Sequence, residues 1–270
     1  MKEKFYKINN TYYAIVLENE FEYRIRFGSS RECINMSVYK DDNIPHINGL
    51  SYDKRCNKSE SMVPGLGTID MIKSAIKFAK ELYPDNCKDF MFKDMSSINC
   101  KKNIKVPLYY YYLTKYEKTW YQSKLNAKPE FKQHIKFIED SLKKLNDPKE
   151  KVNYKTFCIL YLRDIQIKNL QEEFKDIYND SNTYYEFLNK IIDNYDCGIL
   201  NIWFNKLWSN LCQFQFHEYF WIIKEKTIIS WSEDIEIKSK RDKPEFRMIA
   251  GAPKVNDFFP YGKYNIKDFN

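Results

Sequence analysis

Met62-Val63-Pro64-Gly65-Leu66-Gly67-Thr68 separates two kinds of periodicity, and the fold is read from that boundary. After it, Ile69, Ile72, Ile76, Ala79 and Leu82 recur every three or four residues, which predicts an amphipathic helix of about four turns. Thr68 is placed to cap this helix. Pro84 is placed to end it, because proline disfavours helical geometry in Tyr83. Two glycines before a helix let backbone N–H groups approach a ligand, and the helix end adds unpaired donors and a positive dipole end. That arrangement suits a pyrophosphate. It is not a dinucleotide fingerprint, since Asp70 stands where a third glycine belongs, and it is not a P-loop, since no GK[ST] follows.

Upstream, residues 11–17, 22–27 and 33–40 are short, β-branched and aromatic, with Gly28-Ser29-Ser30 and Asp41-Asp42-Asn43 as turns between them. Residues 44–52 form a weaker fourth strand, and Pro45 suggests that it starts at an edge. Tyr23, Ile25 and Phe27 alternate with Arg24 and Arg26, so one sheet face is the more polar. Downstream, residues 89–95 read as a buried strand. Pro107 opens a second helix with Leu108, Tyr112, Leu113 and Tyr116 on one side. Tyr109 to Tyr112 point in four directions on a helix, so they make no single stacking platform.

From Pro129 the pattern is helical. Phe131, Ile135, Ile138, Leu142 and Leu145 form a core stripe that Pro148 breaks, and further helices are expected over residues 152–162, 165–178 and 183–195. Thr183 and Glu186 suit a capping box, with Gly198 just past the helix end. Trp203, Phe204, Leu207, Trp208, Leu211 and Phe214 follow at helical spacing and read as core. A strand or hairpin is expected around residues 227–237, and an extended tail over residues 250–270.

The 270 residues carry 17% aromatic side chains, which argues against disorder, and their 7 Gly and 9 Pro exclude collagen-like and linker-like chains. A net charge of +7 is mild for this length. The Lys238, Lys240, Arg241, Lys243 run is interrupted by Asp242, and Lys101, Lys102 and Lys105 sit on an expected loop near Asp94, so nucleic acid is not expected as a partner. Seven scattered cysteines with no CxxC argue against a disulfide framework and against a zinc ribbon. The three histidines are too far apart for a metal motif. The first residues lack the apolar core of a signal peptide, and polar residues punctuate the apolar stretch 199–223. A cytoplasmic, reducing compartment and no membrane contact are therefore expected.

Four strands, a GxG, an amphipathic helix, a strand and a tyrosine-rich helix resemble the core of GNAT-type N-acetyltransferases over roughly residues 5–127. In that family a Q/R-x-x-G-x-G/A loop binds the pyrophosphate of acetyl-CoA through main-chain amides. Met62-Val63-Pro64-Gly65-Leu66-Gly67 matches it, with Met62 in place of Gln or Arg. The family's L-x-V-x-x-x-N strand compares with the segment from Phe90 to Ser96, where Ser96 replaces Asn. Its Y-x-x-x-G-F motif compares with the segment from Tyr116 to Tyr121, where Trp120 replaces Gly. The resemblance implies an α+β fold with a mixed sheet flanked by helices in residues 1–128. A mainly helical domain with a hairpin and tail then covers residues 129–270. The Lys-, Asn-, Ile- and Tyr-rich usage suits an AT-rich genome such as that of a large DNA virus.

The resemblance also implies acetyl-CoA as cofactor, with Val63, Gly65, Leu66, Gly67, Thr68 and Ser96 as its binding residues. Acyl transfer to an amine needs a base for the ammonium, an acid for the departing thiolate and donors for the oxyanion. By its motif position Tyr116 is the candidate acid. Asp53 and Glu60, flanking the fourth strand's end, are candidate bases, and surface charge is the alternative for each. Asp70 would repel a phosphate unless Lys73 or Lys58 offsets it. A Cys–His site built from Cys56 or Cys100 with His46 has no local support. The expected function is transfer of an acyl group, in the first instance acetyl, from coenzyme A to the amine of a small molecule or a protein. The alternative is a non-catalytic interaction or structural protein on the same fold.

Overall fold

In this computed structural model, the described residues are 2–29, 31–50, 56, 66–93, 97–100, 104–162, 168–195, 200, 204, 207–208, 210–212, 220–231 and 234–240. They form an α+β fold with a large mixed sheet. Strands β1 (Lys2–Ile8), β2 (Tyr12–Glu18), β3 (Glu22–Gly28), β4 (Glu32–Tyr39) and β5 (His46–Leu50) run as an antiparallel meander. Helix α1 (Leu66–Leu82) follows, then β6 (Phe90–Lys93), which pairs parallel to β5. A hairpin of β7 (Ser97–Cys100) and β8 (Ile104–Pro107) leads into α2 (Leu108–Tyr116), α3 (Trp120–Leu125) and the two-residue β9 (Lys128–Pro129). Then come α4 (Lys132–Asn146), α5 (Tyr154–Tyr161), α6 (Lys168–Asn179) and α7 (Tyr184–Asn194), followed by β10 (Phe220–Ile223), the short α8 (Glu225–Ile229) and β11 (Ile237–Lys240). The strand order in the sheet is β11-β1-β2-β3-β4-β5-β6-β10-β9.

Two compact units divide the chain. The first is Met1–Lys93 with Lys124–Lys128 and Phe220–Asn270; the second is Asp94–Ser123 with Pro129–Tyr219. A single cut after residue 128 gives a different grouping, because the late strands β10 and β11 return to pair with β6 and β1. In the first unit α1 buries Met71, Ile72, Ala75, Ile76, Phe78 and Ala79. Phe78 meets Tyr6 edge-on at 5.2 Å between centroids, and Tyr83 stacks on Tyr23 at 3.9 Å. Burial raises the Tyr83 phenol well above its ordinary value.

The alternation in β3 holds, with Ile25 and Phe27 fully buried and Arg24 exposed beside Glu22. β1 is an additional strand ahead of the four read from sequence, and the β7–β8 hairpin carries Lys105 on a strand rather than on a loop. Lys101 and Lys102 lie outside the described residues. β5 is interior, not an edge. Pro45 precedes it, and its carbonyl accepts the Met91 N–H at 2.9 Å, so its missing N–H leaves no gap in the ladder.

In the second unit all four consecutive tyrosines of α2 are buried. Tyr110 stacks on Trp208 at 5.3 Å, and the Trp208 indole donates to Thr114 Oγ1 at 2.8 Å. The buried face of α4 is His134, Ile138, Ser141 and Leu145, whereas Phe131 and Ile135 are exposed. The face is turned because the Tyr109 hydroxyl meets His134 Nε2 at 3.0 Å and gives the imidazole a buried partner. Thr183 caps α7 by accepting the Glu186 N–H, and Glu186 returns a bond to the Asn182 N–H. Residues 227–229 belong to α8 rather than to a strand, and the strand there begins at Ile237. Phe204, Leu207, Trp208 and Leu211 are fully buried, while Trp203, Phe214, Gly198 and residues 250–270 lie outside the described residues.

Candidate functional site

β5 and β6 are adjacent and parallel, and the chain crosses between them through α1. They share two residue pairs, His46 with Met91 and Ile47 with Phe92. Among the described residues the β5–β6 register holds no further pair, while β5 continues to Leu50 and β6 to Lys93. On its other side β5 still pairs with β4 through Gly49 and Leu50. Backbone groups on the β6-facing side of β5 past Ile47 are therefore outside the β5–β6 ladder.

α1 starts at Leu66, so Leu66 and Gly67 are helical and Thr68 is the third residue of the helix rather than its cap. The orphan donors at this end belong to Leu66, Gly67, Thr68 and Ile69, since the first four N–H groups of a helix have no intrahelical acceptor. No acidic residue occupies the first turn. With the earlier start, Asp70 falls past that turn, and Tyr12 donates a 2.6 Å hydrogen bond to its Oδ2. The carboxylate is thus engaged from β2. Lys73 is likewise engaged, with its ammonium 5.4 Å from the centroid of the Trp231 ring. Thr68 is nearly buried.

The same end of the sheet carries the β3–β4 turn. Gly28 leaves no room for a side chain, because a Cβ there would lie 2.0 Å from the Arg31 carbonyl oxygen. Arg31 is buried. Ser29 is 2% exposed, and its hydroxyl has no hydrogen-bond partner among the described residues. Cys33 and Cys56 are joined as a disulfide, against the expectation from the scattered cysteines. Twenty-three residues apart, they fit no spacing rule. This also removes Cys56 as a thiol nucleophile for His46, which instead packs edge-on against Tyr39 at 5.6 Å.

Leu66, Gly67 and Thr68 therefore come together in one helical turn. Tyr116 is the last residue of α2, belongs to the second unit, is 38% exposed and lies 5.0 Å from the Tyr112 ring. Asp53, Glu60, Val63, Gly65 and Ser96 lie outside the described residues, as do Met62 and Lys58. Sequence reasoning did not single out Tyr12, Ser29 or the Cys33–Cys56 pair. None stands in a local motif.

Among the described residues no group of three or more His, Cys, Asp or Glu could hold a metal ion, and no helix is long and apolar enough to cross a membrane. Compared with protein families, curated proteins and solved structures, the chain matches none.

Proposed function

We propose that the chain is an acyl-CoA-dependent N-acyltransferase, a divergent GNAT-type enzyme that takes acetyl-CoA and acylates an amine on a small molecule or a protein. The observation that carries this reading is the parallel β5–β6 pair, joined through α1 and, among the described residues, paired at two positions. The donor set fits an anionic group. The first turn of this 17-residue helix, with its four orphan amides and positive dipole end, holds no acid, and the Tyr12 hydroxyl engages the Asp70 carboxylate. The β6-facing side of β5 past Ile47, outside the β5–β6 ladder among the described residues, can hydrogen-bond the amide-bearing arm of coenzyme A in the manner of an added strand.

Acetyl-CoA supplies the activated thioester. In this reading Leu66, Gly67 and Thr68 hold the pyrophosphate, with Val63, Gly65 and Ser96 as further contacts. Asp53 or Glu60 takes the proton of the attacking ammonium, and Tyr116 returns one to the departing thiolate. A cytoplasmic location and a viral source belong to the same proposal. Isothermal titration of the full chain with acetyl-CoA tests it. Saturable binding that competes with free coenzyme A supports the reading, and no binding at millimolar ligand ends it.

A second reading, a non-catalytic interaction protein on this fold, is favoured by one observation. The candidate acid Tyr116 is solvent-exposed at the end of α2, with its ring against that of Tyr112. Acetyl-CoA binding with an unchanged thioester after incubation with a panel of amines and lysine peptides would select it.

A further inference from the structure

Asn48-Gly49 is the one Asn–Gly pair in the sequence, and the sheet treats Asn48 unlike its neighbours. On β5, His46 and Ile47 pair with both β4 and β6, and Gly49 and Leu50 pair with β4. Among the described residues Asn48 is in neither register. It is the extra residue of a β-bulge, set between the pairs Met36–Ile47 and Asn35–Gly49, and it is exposed. Its side chain reaches β4, where Nδ2 donates to Ser37 Oγ at 2.9 Å. Gly49 has no side chain to shield its backbone nitrogen. Among the described residues a Cβ there would meet only the Asn35 Cβ, at 3.8 Å, and φ is not left-handed, so the fold does not require glycine at this position.

We propose that Asn48-Gly49 is a self-modification site, where the folded chain deamidates and places a new carboxylate in β5. The Gly49 backbone nitrogen loses its proton to hydroxide from the solvent and attacks Asn48 Cγ. The Cγ–Nδ2 bond breaks, and the amide nitrogen takes a proton from water and leaves as ammonia. A five-membered succinimide then joins the two residues. One water opens it by either of two routes. Attack at the side-chain carbonyl restores the ordinary backbone and leaves an aspartate. Attack at the main-chain carbonyl leaves an isoaspartate, whose backbone runs through the side chain and is one carbon longer. The sum is one water consumed and one ammonia released, with no change of oxidation state.

A regular ladder resists this reaction, because the backbone at the asparagine must turn to bring the next nitrogen against Cγ. At the bulge no cross-strand partner fixes Asn48, so the turn needs only local opening. The product differs from the parent in two ways. A carboxylate cannot donate, so the hydrogen bond to Ser37, a residue 3% exposed, is lost in its present sense. Isoaspartate also lengthens β5 between Ile47 and Gly49 and shifts Gly49 and Leu50 along β4. That stretch of β5 is the one assigned to the arm of coenzyme A, and the ligand half of this inference rests on that reading. A carboxylate placed there opposes the binding of an anionic cofactor.

The test follows the full chain by peptide mass mapping during incubation in neutral and mildly alkaline buffer, beside the same chain unfolded in urea. Acid should accumulate at position 48, faster in the more alkaline buffer, with the folded chain lagging the unfolded one by less than about a hundredfold. A longer lag overturns the proposal, because a reaction that waits for global unfolding is slowed by roughly a thousandfold or more. Gly49→Ala should keep the parent's urea midpoint and deamidate several times more slowly, since the added methyl hinders the attacking nitrogen. Equal rates in the two would mean that the Gly49 nitrogen is not the nucleophile, and would overturn the proposal as well. Deamidated protein, separated by charge, should bind acetyl-CoA weaker by roughly threefold or more, the effect of one negative charge beside an anion in water. Equal affinity overturns the ligand half. If acetyl-CoA binds neither form, the acyltransferase reading fails, and the deamidation rates alone decide whether the site exists.

Discussion

The hydroxyl of Tyr12, at the start of β2, donates a 2.6 Å hydrogen bond to the Asp70 carboxylate on α1. The two residues are 58 positions apart, so the bond ties the sheet to the helix across the whole meander. Tyr12 is 1% exposed, and a phenylalanine there would keep the packing while removing the donor. Tyr12→Phe is expected to lose about 1.5–3 kcal/mol, the range for hydrogen bonds to charged groups. Urea unfolding measures the loss, and a double-mutant cycle with Asp70→Asn should show coupling above about 0.5 kcal/mol. Strictly additive losses would mean that the bond contributes nothing.

Gly67 offers a substitution with opposite signs on fold and function. Gly67→Asp places a carboxylate in the first turn, where it favours the helix through the dipole but opposes an anion. The variant should unfold no earlier than the parent and should bind acetyl-CoA at least tenfold more weakly by titration calorimetry, a difference of about 1.4 kcal/mol or more. Unchanged affinity would place the cofactor elsewhere.

The Thr114 hydroxyl accepts from the Trp208 indole and donates to the Tyr110 carbonyl, both at 2.8 Å, in the buried centre of the second unit. Thr114→Val is close in shape and removes both bonds, leaving the indole N–H without that acceptor. A loss of about 1–3 kcal/mol in urea unfolding is expected. A loss below about 0.5 kcal/mol would show that the indole finds another acceptor.

His134 sets a pH dependence. Burial lowers its imidazole to about 4 from an ordinary value of 6.5. Between these values the unfolded chain binds more protons than the folded one, so the contribution is fully present above about pH 6.5 and is lost as pH falls towards about 4. Urea midpoints over that range should fall with acidification, and His134→Gln, which keeps an acceptor for Tyr109, should flatten the fall. Proton NMR of the imidazole titrating near its ordinary value would contradict the burial argument.

The strands that sequence reveals are those whose alternation is visible along a single chain. The β3 pattern of Tyr23, Ile25 and Phe27 against Arg24 and Arg26 is of this kind. β1 escapes because lysine and glutamate fill its first three positions, and its burial comes from β2. The α4 face turns because His134 is buried by a tyrosine 25 residues away, and a hydrophobic stripe cannot report such a partner. At the site the order strand–GxG–helix–strand is readable, but the second glycine lies inside the helix. Tyr12 meets Asp70 from 58 positions away and Cys33 meets Cys56 from 23, which local spacing does not encode.

The two outer flanks of the early sheet are sealed by late segments: β11 pairs with β1, and β10 pairs with β6. On the ribosome, residues 2–93 can emerge and pair long before either sealing strand exists. At ~5–20 residues per second, the second unit takes about ten seconds to synthesise, and throughout that time the nascent sheet has two exposed edges. Synthesis of this chain therefore has a vulnerable interval set by its topology, during which a chaperone able to cover strand edges would determine how much protein survives.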